Sequence, residues 1–162
     1  MLCADKTAHV SELAHIDEST RGSQIRVGPN SVIDSFVRIK CAGGTGDVSF
    51  GKRCYVNSGT VIYSGNGLQV GDDVLIAANC TIAPVNHAYK SRDIPIIDQR
   101  FDEGKGGIVI EDDVWIGANS VIVDGTIIRR GAVVGASSLV RGELKSYGIY
   151  GGNPLRLLGE RQ

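Results

Sequence analysis

The stretch from Thr81 to Phe101, TIAPVNHAYKSRDIPIIDQRF, carries the one histidine of the chain that lies away from its N-terminus, the other two being His9 and His15. A neutral imidazole, with an ordinary pKa near 6.5, can take a proton from a weak nucleophile such as a hydroxyl as that nucleophile attacks. His87 is therefore the candidate general base, with Asn86 beside it. Pro84 and Pro95 stiffen the segment, Lys90 and Arg92 add charge, and glycines at 104, 106 and 107 mark a return. Cysteines at 3, 41, 54 and 80 form no CxxC and no metal-like spacing, which argues for reduced thiols and against a disulfide framework or a zinc site.

Positioning such a base requires a scaffold, and the chain advertises one by counting in sixes. Ile110, Ile116, Ile122, Ile128, Val134 and Val140 stand six apart, as do Val27, Ile33 and Ile39, then Phe50, Val56 and Ile62, then Val70, Ile76 and Ile82, and weakly Val10 and Ile16. A helix repeats its apolar positions at three and four, and a strand alternates at two, so neither explains a period of six. A short strand followed by a sharp bend does. One aliphatic points inward, a small residue such as Cys54, Thr60, Cys80 or Ser120 fills the corner, and glycine or asparagine supplies the turn dihedrals. Three steps close a triangular coil, and stacked coils bury an Ile/Val ladder, which predicts an all-β parallel β-helix of about six coils. The count fails between Ile82 and Ile110, so residues 83–107 are expected to leave the prism as a loop and wall off a pocket.

The run from Ile110 to Val140, IEDDVWIGANSVIVDGTIIRRGAVVGASSLV, with GGNPLRLLG after it and VNH before the excursion, resembles the hexapeptide-repeat acyltransferases, which include galactoside, maltose, serine and polysaccharide O-acetyltransferases. The resemblance covers about residues 10 to 159. It implies a left-handed coil, a homotrimer, acetyl-CoA as donor and an active site between neighbouring subunits. The ordinary right-handed preference of strand crossovers would point the other way, so the handedness is an expectation from the family alone.

Carried over residue by residue, the resemblance implies that His87 activates an acceptor hydroxyl while Asn57, in YVNSGT, helps hold it. Asn57 could otherwise be a turn asparagine at positive φ. Tyr55, Asn86 and Trp115 are implied on the substrate side. The N–H of Ala118 is implied at the oxyanion of the thioester addition, and Ala136 at the pantetheine arm. Pro154 and Arg156, in NPLR, are implied at the coenzyme A end. Arg141 stands where relatives carry a hydroxyl-bearing contact, and the basic residue that follows there is Gly142 here. Gly65 replaces an acidic acceptor-binding residue, which argues against galactoside or maltose as acceptor.

The bulk numbers agree with a single enzyme domain spanning 1–162. With 42% hydrophobic residues and a formal net charge of −1, a basic nucleic-acid surface is not expected. No apolar run is long enough to span a bilayer and no leader is evident, so a cytoplasmic protein without membrane insertion is expected. No metal is expected: a γ-type carbonic anhydrase shares the β-helix but needs three zinc-binding histidines, and one lies in the repeats. Serine acetyltransferase is disfavoured by the lack of a long helical N-terminal extension. The leading expectation is transfer of acetyl from acetyl-CoA to a sugar hydroxyl in polysaccharide or lipopolysaccharide assembly, without an acyl-cysteine intermediate. The alternatives are N-acetylation of a nucleotide-linked amino sugar and a non-catalytic scaffold or binding module.

Overall fold

A computed structural model describes residues 1–162. Its strands are two to five residues long and form three sheets. The first sheet stacks Leu2–Ala4, Ile25–Val27, Val48–Phe50, Leu68–Val70, Ile108–Ile110, Ile127–Ile128 and Glu143–Leu144. The second stacks His9–Val10, Val32–Ile33, Tyr55–Val56, Leu75–Ile76, Trp115–Ile116, Val133–Val134 and Gly148–Gly151. The third stacks His15–Ile16, Arg38–Lys40, Val61–Tyr63, Thr81–Ala83, Val121–Val123 and Leu139–Val140. The chain visits the three in rotation, always parallel to the coil below, so it climbs as a three-sided prism of six full coils with a seventh begun. The final strand, Arg156–Glu160, turns back antiparallel on Gly148–Gly151.

The sixes are the inward column. Ile110, Ile116, Ile122, Ile128, Val134 and Val140 are all buried, as are their counterparts in the lower coils. Burying one such side chain contributes about 2 kcal/mol, and the whole core is one contiguous cluster along the axis. Val10 and Ile16, in the first coil, pack against this cluster only half-buried. Corner positions take small residues because the chain bends there and leaves no room for more. Where those residues are polar they bond into the ladder: Ser31 Oγ donates to Gly51 O at 2.8 Å and accepts the Cys54 N–H at 2.9 Å.

The turn dihedrals keep the same period. Asp113, Asn119, Gly125, Gly131 and Ser137 all have positive φ, each six residues after the last. Glycine and asparagine are not the only residues that serve, since Phe36 and Arg53 adopt φ of 62° and 54°. Coils above and below impose the turn, and their hydrogen bonds hold it even where the side chain is poorly suited.

Every departure from six occurs at one edge of the prism, where the third sheet hands over to the first. There the chain inserts 17–24, 41–47, 64–67 and 84–107 in successive coils, whereas the other two edges keep six throughout. The long excursion, 84–107, therefore does not stand alone. It lies beside two shorter loops, with Gly43 against Val85 and Gly65 against Pro84.

Candidate active site

The excursion goes out and returns as a narrow ribbon. Its outgoing and incoming strands pair through Asp102 N–H to Asn86 O at 2.9 Å and Ala88 N–H to Arg100 O at 3.0 Å. A single helical turn, Ile96–Gln99, forms its tip, braced by Gln99 Nε2 donating to Ser91 O and Ile94 O. Beyond the ribbon the arm is exposed, with the apolar side chains of Tyr89, Ile94, Ile96 and Ile97 among its surface residues.

His87 sits in this ribbon, and its ring is fixed on two sides. Nδ1 lies 3.0 Å from the carbonyl of Arg100, and the ring stacks on Phe101 with centroids 4.9 Å apart. A carbonyl can only accept, so the proton of the neutral ring is on Nδ1 and Nε2 keeps its lone pair. This is the tautomer a general base needs. His87 and Asn86 border a cavity of about 340 Å³ whose other walls are Ala42, Tyr63, Ala83, Val85 and Phe101. Lys40 Nζ stands 5.3 Å above the Tyr63 ring.

Asn86 also borders a second cavity, of about 500 Å³, together with Lys105, Asp124 and Arg141. Neither Lys105 nor Arg141 is engaged in an ion pair, so two free cations face one hollow next to His87. Arg129, by contrast, is committed to Glu111 and Glu143, each at 2.7 Å.

The remaining candidates lie elsewhere on the prism. Tyr55 and Trp115 point outward from the second sheet, in register with Leu75 between them, and all three are exposed, Trp115 by 52%. Asn57 does not have positive φ, which removes its reading as a turn asparagine; Gly59 takes that role. Its Nδ2 donates to Ile76 O at 3.0 Å, which leaves Oδ1 free to accept. Ala118 and Ala136 lie one coil apart at the edge between the second and third sheets, and neither amide N–H has an acceptor within the chain. The close stacking that aligns them depends on Gly117, where an added Cβ would lie 2.5 Å from Ala136 N. Pro154 and Arg156 are exposed on the tail.

One chain thus gathers Asn86, His87 and Arg141 on one edge, and displays Tyr55, Asn57, Trp115, Ala118 and Ala136 on the second sheet and its far edge. The cavity at His87 contains none of the latter group. Several site residues carry no individual sequence signal: the Arg100 carbonyl, the Phe101 stack, Lys105 and Asp124. Tyr63 and Ala83 were accessible through the count, since each follows an inward residue, Ile62 and Ile82, and therefore faces outward.

Two family models match the chain: "Bacterial transferase hexapeptide (six repeats)" over 107–142 and "Hexapeptide repeat of succinyl-transferase" over 46–84. Both stretches of this chain carry the repeat of the hexapeptide transferases. Its prism is their left-handed β-helix. It is 33% identical over 117 residues to a probable acetyltransferase of Mycobacterium tuberculosis, covering 72% of this chain and 38% of that protein. It is 33% identical over 123 residues to a putative lipopolysaccharide biosynthesis O-acetyl transferase of Escherichia coli, covering 72% of this chain and 62% of the other. The chain therefore spans from 38% to 62% of the length of these curated relatives. Among solved structures, a variant of an N-acyltransferase of Bacillus cereus in complex with dTDP-4-amino-4,6-dideoxyglucose and coenzyme A superposes with a TM-score of 0.81 at 27% identity, over 99% of this hexapeptide-repeat chain and 84% of that one.

Proposed function

We propose that the protein is an acetyl-CoA-dependent O-acetyltransferase that acts on a sugar hydroxyl in polysaccharide or lipopolysaccharide assembly. The observation that carries this reading is the tautomer of His87: Nδ1–H is committed to Arg100 O, and Nε2 is left as a base beside a cavity. The acceptor hydroxyl gives its proton to Nε2 as its oxygen attacks the thioester carbonyl. The imidazolium so formed keeps its other N–H on the Arg100 carbonyl. Collapse of the addition intermediate expels the coenzyme A sulfur, which takes the proton back from Nε2. An N–H aimed at the transient oxyanion is worth about 3 kcal/mol, and the unpaired amide of Ala118 is the donor we assign to it. Asn57 holds the acceptor, Tyr55 and Trp115 face it, Ala136 meets the pantetheine arm, and Arg141, Arg156 and Pro154 receive the nucleotide end.

The two groups of residues lie on different faces, so the reading requires a homotrimer in which the arm of one subunit meets the second sheet of its neighbour. The exposed apolar residues on both surfaces, Ile96 and Ile97 on the arm and Leu75 and Trp115 on the sheet, support such a contact. Four unpaired thiols support a reducing compartment, the cytoplasm.

A second reading is N-acylation of a nucleotide-linked amino sugar, favoured by the near-complete superposition on the Bacillus cereus enzyme. The same base and donor serve both. Release of free thiol from acetyl-CoA, followed with hydroxyl and amino sugars side by side, separates them. Turnover confined to amino sugars would replace the first reading by the second, and no turnover with either would leave the scaffold reading standing.

A further inference from the structure

We infer that Asn66 and Asp124 form a clamp that closes the neck of the excursion and thereby sets the position of His87; the role rests on His87 being the base proposed above. Asp124 follows the strand Val121–Val123 and is only 5% exposed. Its Oδ2 accepts the Lys105 N–H at 2.6 Å and Asn66 Nδ2 at 3.1 Å, and its Oδ1 accepts the Gly107 N–H at 2.9 Å. Asn66 in turn donates its backbone N–H to Pro84 O at 2.8 Å. Pro84 is the first residue of the excursion and Gly107 the last, so the Asp124 carboxylate holds one foot of a segment of two dozen residues, and Asn66, tied to that carboxylate by its side chain, holds the other through its backbone N–H.

The consequence for His87 follows from the ribbon. The ring is oriented by Arg100, which belongs to the incoming strand, while His87 belongs to the outgoing one. Their register is set at the neck, three residues before His87 and five after Arg100. Gly104 packs directly on the clamp, where an added Cβ would lie 2.4 Å from the Asn66 side-chain carbon. A carboxylate is required at 124 because three donors converge there and only an acceptor with two bare oxygens satisfies them all. In either orientation an amide at 124 would turn its NH₂ toward an N–H.

The test uses the intact protein with Asp124→Asn and Asn66→Ala. Displacing a catalytic group by about 1 Å lowers turnover by up to about 100-fold, so kcat should fall about 10- to 100-fold while KM for acetyl-CoA stays within about twofold. Nitrogen NMR of labelled histidine, resolvable with three histidines in the chain, gives a readout independent of turnover. The wild type should show His87 as the Nδ1–H tautomer, and both variants should move toward the averaged tautomer of a free ring. Unchanged kcat with an unchanged His87 signal would overturn the clamp, as would a lowered melting temperature with the signal intact. If the wild type acetylates no acceptor, the function fails and the ring signal still decides the clamp. If Asp124→Asn does not fold, Asn66→Ala, which keeps the carboxylate, decides it alone.

Discussion

The carbonyl of Arg100 takes two hydrogen bonds from the facing strand, one from Ala88 N–H at 3.0 Å and one from His87 Nδ1 at 3.0 Å, so one backbone group fixes both the ribbon and the ring. Arg100 holds that carbonyl at φ 62° and ψ −138°, a conformation poorly suited to a side chain with a branched Cβ. Arg100→Gly should therefore keep turnover within about twofold, since glycine adopts such dihedrals freely. Arg100→Val should lower it by about tenfold or more, because the carbonyl would be turned from the ring. Steady-state rates for the pair check this, and equal rates would remove the carbonyl from the mechanism.

His87→Ala removes the proposed base without touching the prism core. Turnover should drop by about 100-fold or more, the usual cost of losing general-base catalysis, with little change in melting temperature. Equal turnover in variant and wild type would sink the assignment.

Two faces of the prism carry the two groups of candidate residues, and in the proposed trimer a neighbouring subunit unites them. Co-expression of His87→Ala with Trp115→Ala should restore activity, because in a mixed ring about a quarter of the interfaces join an intact arm to an intact sheet. Each variant alone should be nearly inactive. Mixed assemblies no more active than the single variants would place the whole site within one chain.

Cys54 and Cys80 are buried corner residues whose thiols contact Gly71 O at 3.0 Å and Gly117 O at 3.4 Å. Burial pushes both thiols above their usual range, and the neutral form is a poor nucleophile. In the native protein at neutral pH a thiol reagent should modify Cys3 and spare these two, and Cys80→Ser should keep turnover. A burst of acetyl transfer that disappears in Cys80→Ser would instead establish a covalent intermediate.

Glu111 accepts Arg129 Nη1 at 2.7 Å and the Arg130 N–H at 2.8 Å. The Arg129 guanidinium first, and then that N–H, hold its carboxyl below the ordinary value of 4.5. A depressed folded-state pKa stabilises above the unfolded value and loses that contribution as pH falls through the folded one. The melting temperature of wild type relative to Glu111→Gln should therefore be higher at pH 7, and the difference should close below about pH 4.5. A difference that grows on acidification would mean that the carboxylate is not paired as described.

What the sequence determined by itself was everything that repeats. Ile110 through Val140 specify the inward column, Ser120 and Cys80 the corner, and the failed count after Ile82 the excursion, because a one-residue shift would turn every buried aliphatic to solvent. His87 was legible as a lone histidine at that failure. The tertiary structure alone decided how the non-repeating residues meet. Lys105 and Gly107 reach Asp124, and Arg100 reaches His87, across 13 to 19 residues of chain with no periodicity, so no spacing rule connects them. It also showed that Trp115 and His87 occupy different faces of one prism. The reason is geometric: a coil of period six sets which way each residue points, and only the stacking of coils and loops sets which of them come within hydrogen-bonding reach.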